Sequence, residues 1–232
     1  MTEARAVLFD LDDTLYPLER FAMSGFCAVA GVAEARWGVA RATALETLVS
    51  ATSVARGREL QVLVERHGIG RDALPHLVDV IRTHVPDLGL PALTASVLTA
   101  LGAGWRLAVV TNGRPDIQAR KVRALGLERF VDVVVLAAEH GSGAGKPEAA
   151  PFLAACQQLG VAPTRAVFVG DDPVCDIAGA HGVGMKTIWL PARVAPPATR
   201  PVDLADVIVA SLADVPDAAA ELLTPDWRAH VA

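Results

Sequence analysis

Two rhythms of apolar residues divide this chain. Near its start, Val7-Leu8-Phe9 is a short apolar run that reads as a buried strand. After Thr14 the spacing changes: apolar residues recur three and four apart over Leu18 to Trp37, Val39 to Val54, Arg58 to Arg66 and Asp72 to His84, which predicts helices and no strand. Pro86, Gly89 and Pro91 punctuate the chain before a further helix from about Ala92 to Leu101. Strands are then expected at Arg106 to Val110, Val131 to Leu136, Ala166 to Val169, Lys186 to Leu190 and Val207 to Ala210. Helices are expected between and after them, at Asp116 to Leu125, Glu148 to Leu159, Cys175 to His181 and Asp214 to Leu223. Such alternation predicts an α/β fold whose mostly parallel sheet is covered on both faces and offers ligands the carboxyl ends of its strands. The early helical block, roughly 75 residues, is too long for a simple crossover and predicts a separate lid-like subdomain. Pro196, Pro197 and Pro201 predict an extended surface segment.

Composition narrows the partners. At 232 residues and 52% hydrophobic, the chain can bury a sizeable core. A formal net charge of -5 with scattered arginines gives no footprint for a nucleic acid polymer. Cys27, Cys156 and Cys175 are odd in number and have no metal-like spacing, so reduced thiols and a cytoplasmic location are expected. No leader-like segment precedes the first strand, and no apolar run reaches the roughly 18 residues of a membrane span. Of the 21 lysines and arginines only Lys121, Lys146 and Lys186 are lysines, which makes each lysine position informative.

Chemistry gathers at four predicted strand or helix ends. Val7-Leu8-Phe9 runs into Asp10-Leu11-Asp12-Asp13-Thr14, and in extended backbone Asp10 and Asp12 point to one side. Two carboxylates in one pocket repel, and a divalent cation would relieve that cost; the alternative is a strand end whose Asp13 or Thr14 caps a helix. Thr111-Asn112-Gly113 follows the second strand with anion donors, or forms an ordinary Asn-Gly turn. Lys146 stands just before Pro147 and the helix from Glu148, without the spacing of a nucleotide-binding P-loop, where an ammonium could meet a phosphate, buffer a cluster of acids or simply be solvated. Gly170-Asp171-Asp172 ends another apolar strand, with Asp176 on the helix behind it. Hard oxygens of this kind suit Mg²⁺, although Asp172 could equally be an N-cap and Asp176 a loop hydrogen-bond partner.

Taken together, Asp10-Leu11-Asp12-Asp13-Thr14, Thr111-Asn112-Gly113, Lys146-Pro147 and Gly170-Asp171-Asp172 with Asp176 resemble the four motifs of the haloacid dehalogenase superfamily, in its capped phosphatase branch. Gln118 and Lys121 before Leu125-Gly126-Leu127, and Ile177-Ala178-Gly179-Ala180 before Gly182, add to the likeness, which covers nearly the whole chain. Departures are Cys175, where many relatives carry asparagine, and a looser glycine-rich approach to Lys146. The resemblance implies a Rossmann-like, doubly wound core (residues 1–15 and 92–232) with a helical cap inserted at 16–91. It also implies a Mg²⁺-dependent phosphate monoester hydrolase acting on a small phosphorylated metabolite such as a nucleoside monophosphate, a sugar phosphate or phosphoglycolate. Asp10 would be the nucleophile that forms an aspartyl-phosphate, and Asp12 the general acid and then base. Thr111, Asn112 and Lys146 would hold the phosphoryl group, and Mg²⁺ would sit on Asp10, the backbone carbonyl of Asp12, and Asp171, with Asp172 and Asp176 in support.

Within that superfamily the residues discriminate. Its dehalogenases lack the second motif aspartate, whereas Asp12 is present; its phosphonoacetaldehyde hydrolases use a cap lysine, whereas all three lysines lie outside the cap. A sugar phosphomutase is the alternative, since it shares all four motifs. A phosphorylatable signalling receiver or a non-catalytic phosphate-binding descendant is a further alternative, disfavoured by the first-strand Asp-x-Asp, the large insert and the intact motif acids. Tyr16, Arg20, Met23 and Trp37, early in the insert, are candidates for substrate selection; the alternative is cap packing for Met23 and Trp37 and a solvated Arg20. The oligomeric state is not legible in the sequence.

Overall fold

The computed structural model describes residues 4–191 and 204–224, so the expected segment around Pro196, Pro197 and Pro201 lies outside the described residues. Contacts divide the chain into two units, Met1–Pro17 with Gly89–Ala232, and Leu18–Leu88.

The first unit is built on a six-stranded, wholly parallel sheet. Its strands are β1 (Ala6–Phe9), β2 (Arg106–Thr111), β3 (Val133–Leu136), β4 (Ala166–Gly170), β5 (Lys186–Trp189) and β6 (Val207–Ile208), in the order β3-β2-β1-β4-β5-β6. That order reverses at β1, which puts the first strand at the centre of a doubly wound sheet. Every residue of β1 and β4 is buried, as continuous apolar runs in a two-sided sheet must be. One face packs Leu8, Val110 and Phe168 under the helix Ala149–Leu159, where Phe152 meets Phe168 edge to face at 5.0 Å. Helices Ala92–Gly102, Pro115–Leu125 and Val215–Leu222 complete this unit, together with the short helix Gly179–Gly182.

The second unit is helical: α1 (Glu19–Trp37), α2 (Arg41–Val54), α3 (Glu59–Arg66) and α4 (Leu74–Thr83). Its own core holds Phe26, Val29, Ala33, Leu48, Leu63 and Leu77. α1 stops at Gly38, whose φ of 67° lets its N–H turn back onto the carbonyls of Ala33 and Glu34. Arg20 and Met23 are exposed on α1, while Trp37 packs against the helical core. No helix of the described residues is long and apolar enough to cross a membrane.

Several elements differ from their expected form, among them β3, which begins at Val133. The helix expected at Asp72 starts as a 3₁₀ turn over Arg71–Ala73, and the last strand shortens to Val207–Ile208. The helix expected at Cys175–His181 is a π-helical turn, Pro173–Ala178, followed by the short α-helix. The carbonyl of Asp172 there accepts from both Asp176 N (3.0 Å) and Ile177 N (3.2 Å), the shared bond that widens a turn. The widening matters because it carries the Asp176 carboxylate into the site.

Candidate active site

Register brings the motifs together. Phe9 lies level with Val109 of β2 and Val169 of β4, and Asp10 N continues the ladder onto Val169 O at 2.9 Å. Asp10, Thr111 and Asp171 therefore emerge side by side at the carboxyl edge, although roughly a hundred and sixty residues separate the first from the last.

Lys146 reaches this edge from the loop before the Ala149–Leu159 helix, and Asn112 fixes that loop. Asn112 Nδ2 donates to Lys146 O (2.9 Å), and Lys146 N donates to Asn112 Oδ1 (2.7 Å). A side chain at Gly145 would collide with that amide, since an added Cβ would lie 2.5 Å from Asn112 Oδ1, and its φ of 80° also suits glycine. Thus held, the buried Lys146 Nζ donates to Asp10 Oδ1 (2.5 Å) and to Asp176 Oδ1 (2.7 Å). Asp172 is the cap that starts the π turn, accepting from Val174 N and Cys175 N, both at 2.8 Å. Asp176 Oδ2 accepts in turn from Asp172 N at 3.0 Å.

The cluster carries more negative than positive charge. Carboxylate oxygens of Asp10, Asp171 and Asp176 all lie within 4.8 Å of one another. Burial, opposed by the Lys146 ammonium and reinforced by Asp176, pushes the Asp10 carboxyl from its ordinary 3.8 up to about 7. Burial and then the Asp176 charge push Asp171 to about 7 as well. Burial works against the Lys146 ammonium, but Asp10 and Asp176 overcome it and hold its pKa above the ordinary value. Three hard oxygen donors, two of them bonded to the Lys146 ammonium, fit a small divalent cation, which Asp10, Asp171 and Asp176 could hold.

Between about pH 4 and pH 7 the folded chain keeps protons on Asp10 and Asp171 that the unfolded chain releases. In chelator, stability contributed by these two groups is therefore lost as pH rises through that window, and stays lost above it. A divalent cation competes with those protons, so the rise in melting temperature on adding Mg²⁺ should grow across the same window. Scanning fluorimetry with Mg²⁺ or chelator measures this; an increment independent of pH would place the cation elsewhere.

Asp12 occupies a different environment. Both its oxygens accept from Lys121 Nζ (2.9 and 2.8 Å), Oδ2 also from Gln118 Nε2 (2.9 Å), and Oδ1 from Tyr16 O–H (2.6 Å). A tight turn supplies the tyrosine: Asp13 adopts φ 61°, its N–H bonds to Tyr16 O, and Leu15 N bonds to Leu11 O. Burial first, then the Asp12 charge, keep the Tyr16 hydroxyl protonated far above its ordinary range. Gln118 Nε2 also donates to Thr111 Oγ1 at 2.5 Å, so one amide joins the second motif to the first. That bond occupies a lone pair of the Thr111 hydroxyl, whose proton has only a 3.4 Å contact to Asn112 O.

The structure thus brings Asp10, Thr111, Lys146, Asp171 and Asp176 to one edge, with Asp12 beside them and Asp172 acting as a cap. The Asn112 side chain is engaged with the backbone of Lys146. Gln118, Lys121 and Tyr16 are the contributors that reading the motifs alone does not place in the site. The signals were the scarcity of lysine and the single tyrosine of the chain.

The chain is similar to several known proteins. Residues 4–184 match the haloacid dehalogenase-like hydrolase family. The glyceraldehyde 3-phosphate phosphatase of Methanopyrus kandleri is 34% identical over 206 residues, covering 79% of this chain and 82% of that one. The phosphoserine phosphatase of Thermus thermophilus is 31% identical over 186 residues, 76% of this chain and 73% of that one. Among solved structures, the 2-haloacid dehalogenase of Pseudomonas syringae superposes with a TM-score of 0.62 at 29% identity, over 94% of this chain and 98% of that one. With the family matched over most of its length and the parallel core and helical insert in place, the chain belongs to the haloacid dehalogenase-like hydrolases, among that superfamily's phosphatases.

Proposed function

We propose that this enzyme hydrolyses a small phosphorylated metabolite in the presence of Mg²⁺, through an aspartyl-phosphate on Asp10. The observation that carries the reading is the separation of two neighbouring acids into two environments. Asp10 faces Lys146 and the acids Asp171 and Asp176, whereas Asp12 is held by Lys121, Gln118 and Tyr16. Asp12 accepts four hydrogen bonds, which orients it as the base of the second step, and a dehalogenase, whose halide leaves without a proton, has no use for that residue.

In this reading an Asp10 oxygen attacks phosphorus and the bond to the leaving oxygen breaks. Lys146, already beside Asp10, offsets the charge that accumulates there, and the Thr111 hydroxyl donates to a phosphoryl oxygen. Because the Asn112 side chain is engaged with Lys146, its contribution to the phosphoryl group falls to its backbone N–H. In its protonated form Asp12 gives its proton to the leaving oxygen, then takes one from the water that hydrolyses the acyl phosphate, which returns the enzyme to that same form. Asp10 and Asp171, with Asp176 and the backbone carbonyl of Asp12, would hold Mg²⁺, which supplies charge neutralisation between the nucleophile and the phosphoryl oxygens when bound.

The named relatives point the substrate search at three-carbon phosphates. A screen of glyceraldehyde 3-phosphate, phosphoserine, phosphoglycolate, sugar phosphates and nucleoside monophosphates should find phosphate release that Mg²⁺ supports and chelator removes. Undiminished hydrolysis by metal-stripped protein would overturn the metal assignment. Halide release from a 2-haloacid, with every phosphate ester inert, would overturn the reaction itself.

A further inference from the structure

The amino ends of β1, β2 and β3 surround a cavity of about 450 Å³, on the sheet edge opposite Asp10 and Thr111. Its size falls within the roughly 300–1,000 Å³ typical of ligand sites. Its chemistry is unlike that of the chain as a whole. Three arginines line it, Arg5, Arg106 and Arg129, against one acid, Asp132, in a protein of net charge -5. Asp132 is already satisfied: Oδ1 accepts from Arg106 Nη1 (2.7 Å) and Oδ2 from Leu107 N (2.8 Å). Arg5 and Arg129 have no carboxylate partner among the described residues.

Each of these arginines has one backbone and one ring contact, and Arg129 is exposed. The Arg5 guanidinium lies 4.0 Å from the centre of the Trp105 ring, itself nearly buried, and its Nε turns to Gly104 O at 3.4 Å. Arg129 sits over the Phe130 ring at 5.9 Å with its Nε turned to Gly126 O, also at 3.4 Å. In each case Nε has a backbone carbonyl partner, while the terminal Nη groups make no hydrogen bond among the described residues. Planar donors so arranged are suited to an oxyanion with several oxygens, which a guanidinium can hold through two parallel hydrogen bonds.

We propose that this cavity binds a small soluble oxyanion of the phosphate or pyrophosphate class through Arg5 and Arg129, as a second anion site remote from the catalytic edge. The test is isothermal titration of the whole chain with inorganic pyrophosphate in chelator at low ionic strength, where the unneutralised acids around Asp10 disfavour an anion at the catalytic site. One pyrophosphate should bind per chain, more weakly as salt is added. Arg5→Met with Arg129→Met should weaken binding by roughly tenfold or more. In the unsubstituted chain, the Trp105 indole N–H resonance should shift as the site fills, which keeps the test independent of how the variants fold. Binding that survives both arginine substitutions, or that leaves Trp105 unmoved, would overturn the assignment, as would no binding at all.

Discussion

Asp10→Asn should abolish turnover of every phosphate ester, a loss on the order of 10⁴-fold or more, because a neutral amide cannot form the acyl phosphate. The variant should still fold. Lys146 keeps its bond to Asp176, and the substitution removes one of the carboxylates that burial already disfavours as an anion. In chelator its melting temperature should equal or exceed that of the parent, so lost activity with retained or raised stability separates a chemical role from a structural one. Activity within tenfold of the parent would remove Asp10 as nucleophile.

The second large effect is expected at Asp12, and it should depend on the leaving group. Proton transfer of this kind contributes roughly 10²- to 10⁴-fold, so Asp12→Asn should lose about that much with a sugar or three-carbon phosphate, whose leaving oxygen needs a proton. The first step with p-nitrophenyl phosphate should be nearly spared, since nitrophenolate departs unaided, and a burst of nitrophenol should precede a stall. An asparagine oxygen can still accept from Lys121, Gln118 or Tyr16, so much of the local hydrogen bonding can survive. Equal losses with both esters would mean that Asp12 organises the site and carries no proton.

How far the sequence could be read depended on range. The strand ends were legible because an apolar run that stops in acids marks both a buried strand and its tip, and parallel pairing then aligns such tips without further information. The clamp on Asp12 was not legible in the same way. Gln118 and Lys121 lie on one face of the Pro115–Leu125 helix, more than a hundred residues from Asp12, and nothing local tells a buried helical lysine from a solvated one. The roles left open at Asp172 and Asp176 were decided by backbone geometry: the π turn makes the first a cap and turns the second toward Lys146. Asn112 looked like an anion donor, but its side chain closes on the Lys146 backbone through a contact set by the loop at Gly145.

The covalent intermediate tests the account most directly. Asp12→Asn protein mixed with p-nitrophenyl phosphate and Mg²⁺, quenched in acid and digested, should yield the peptide containing Asp10 with one added phosphoryl group. That group should be released by hydroxylamine, as an acyl phosphate is, and be absent when Asp10 is also replaced. An unmodified Asp10 peptide under conditions where nitrophenol is released, or a phosphoryl group on any other residue, would contradict it.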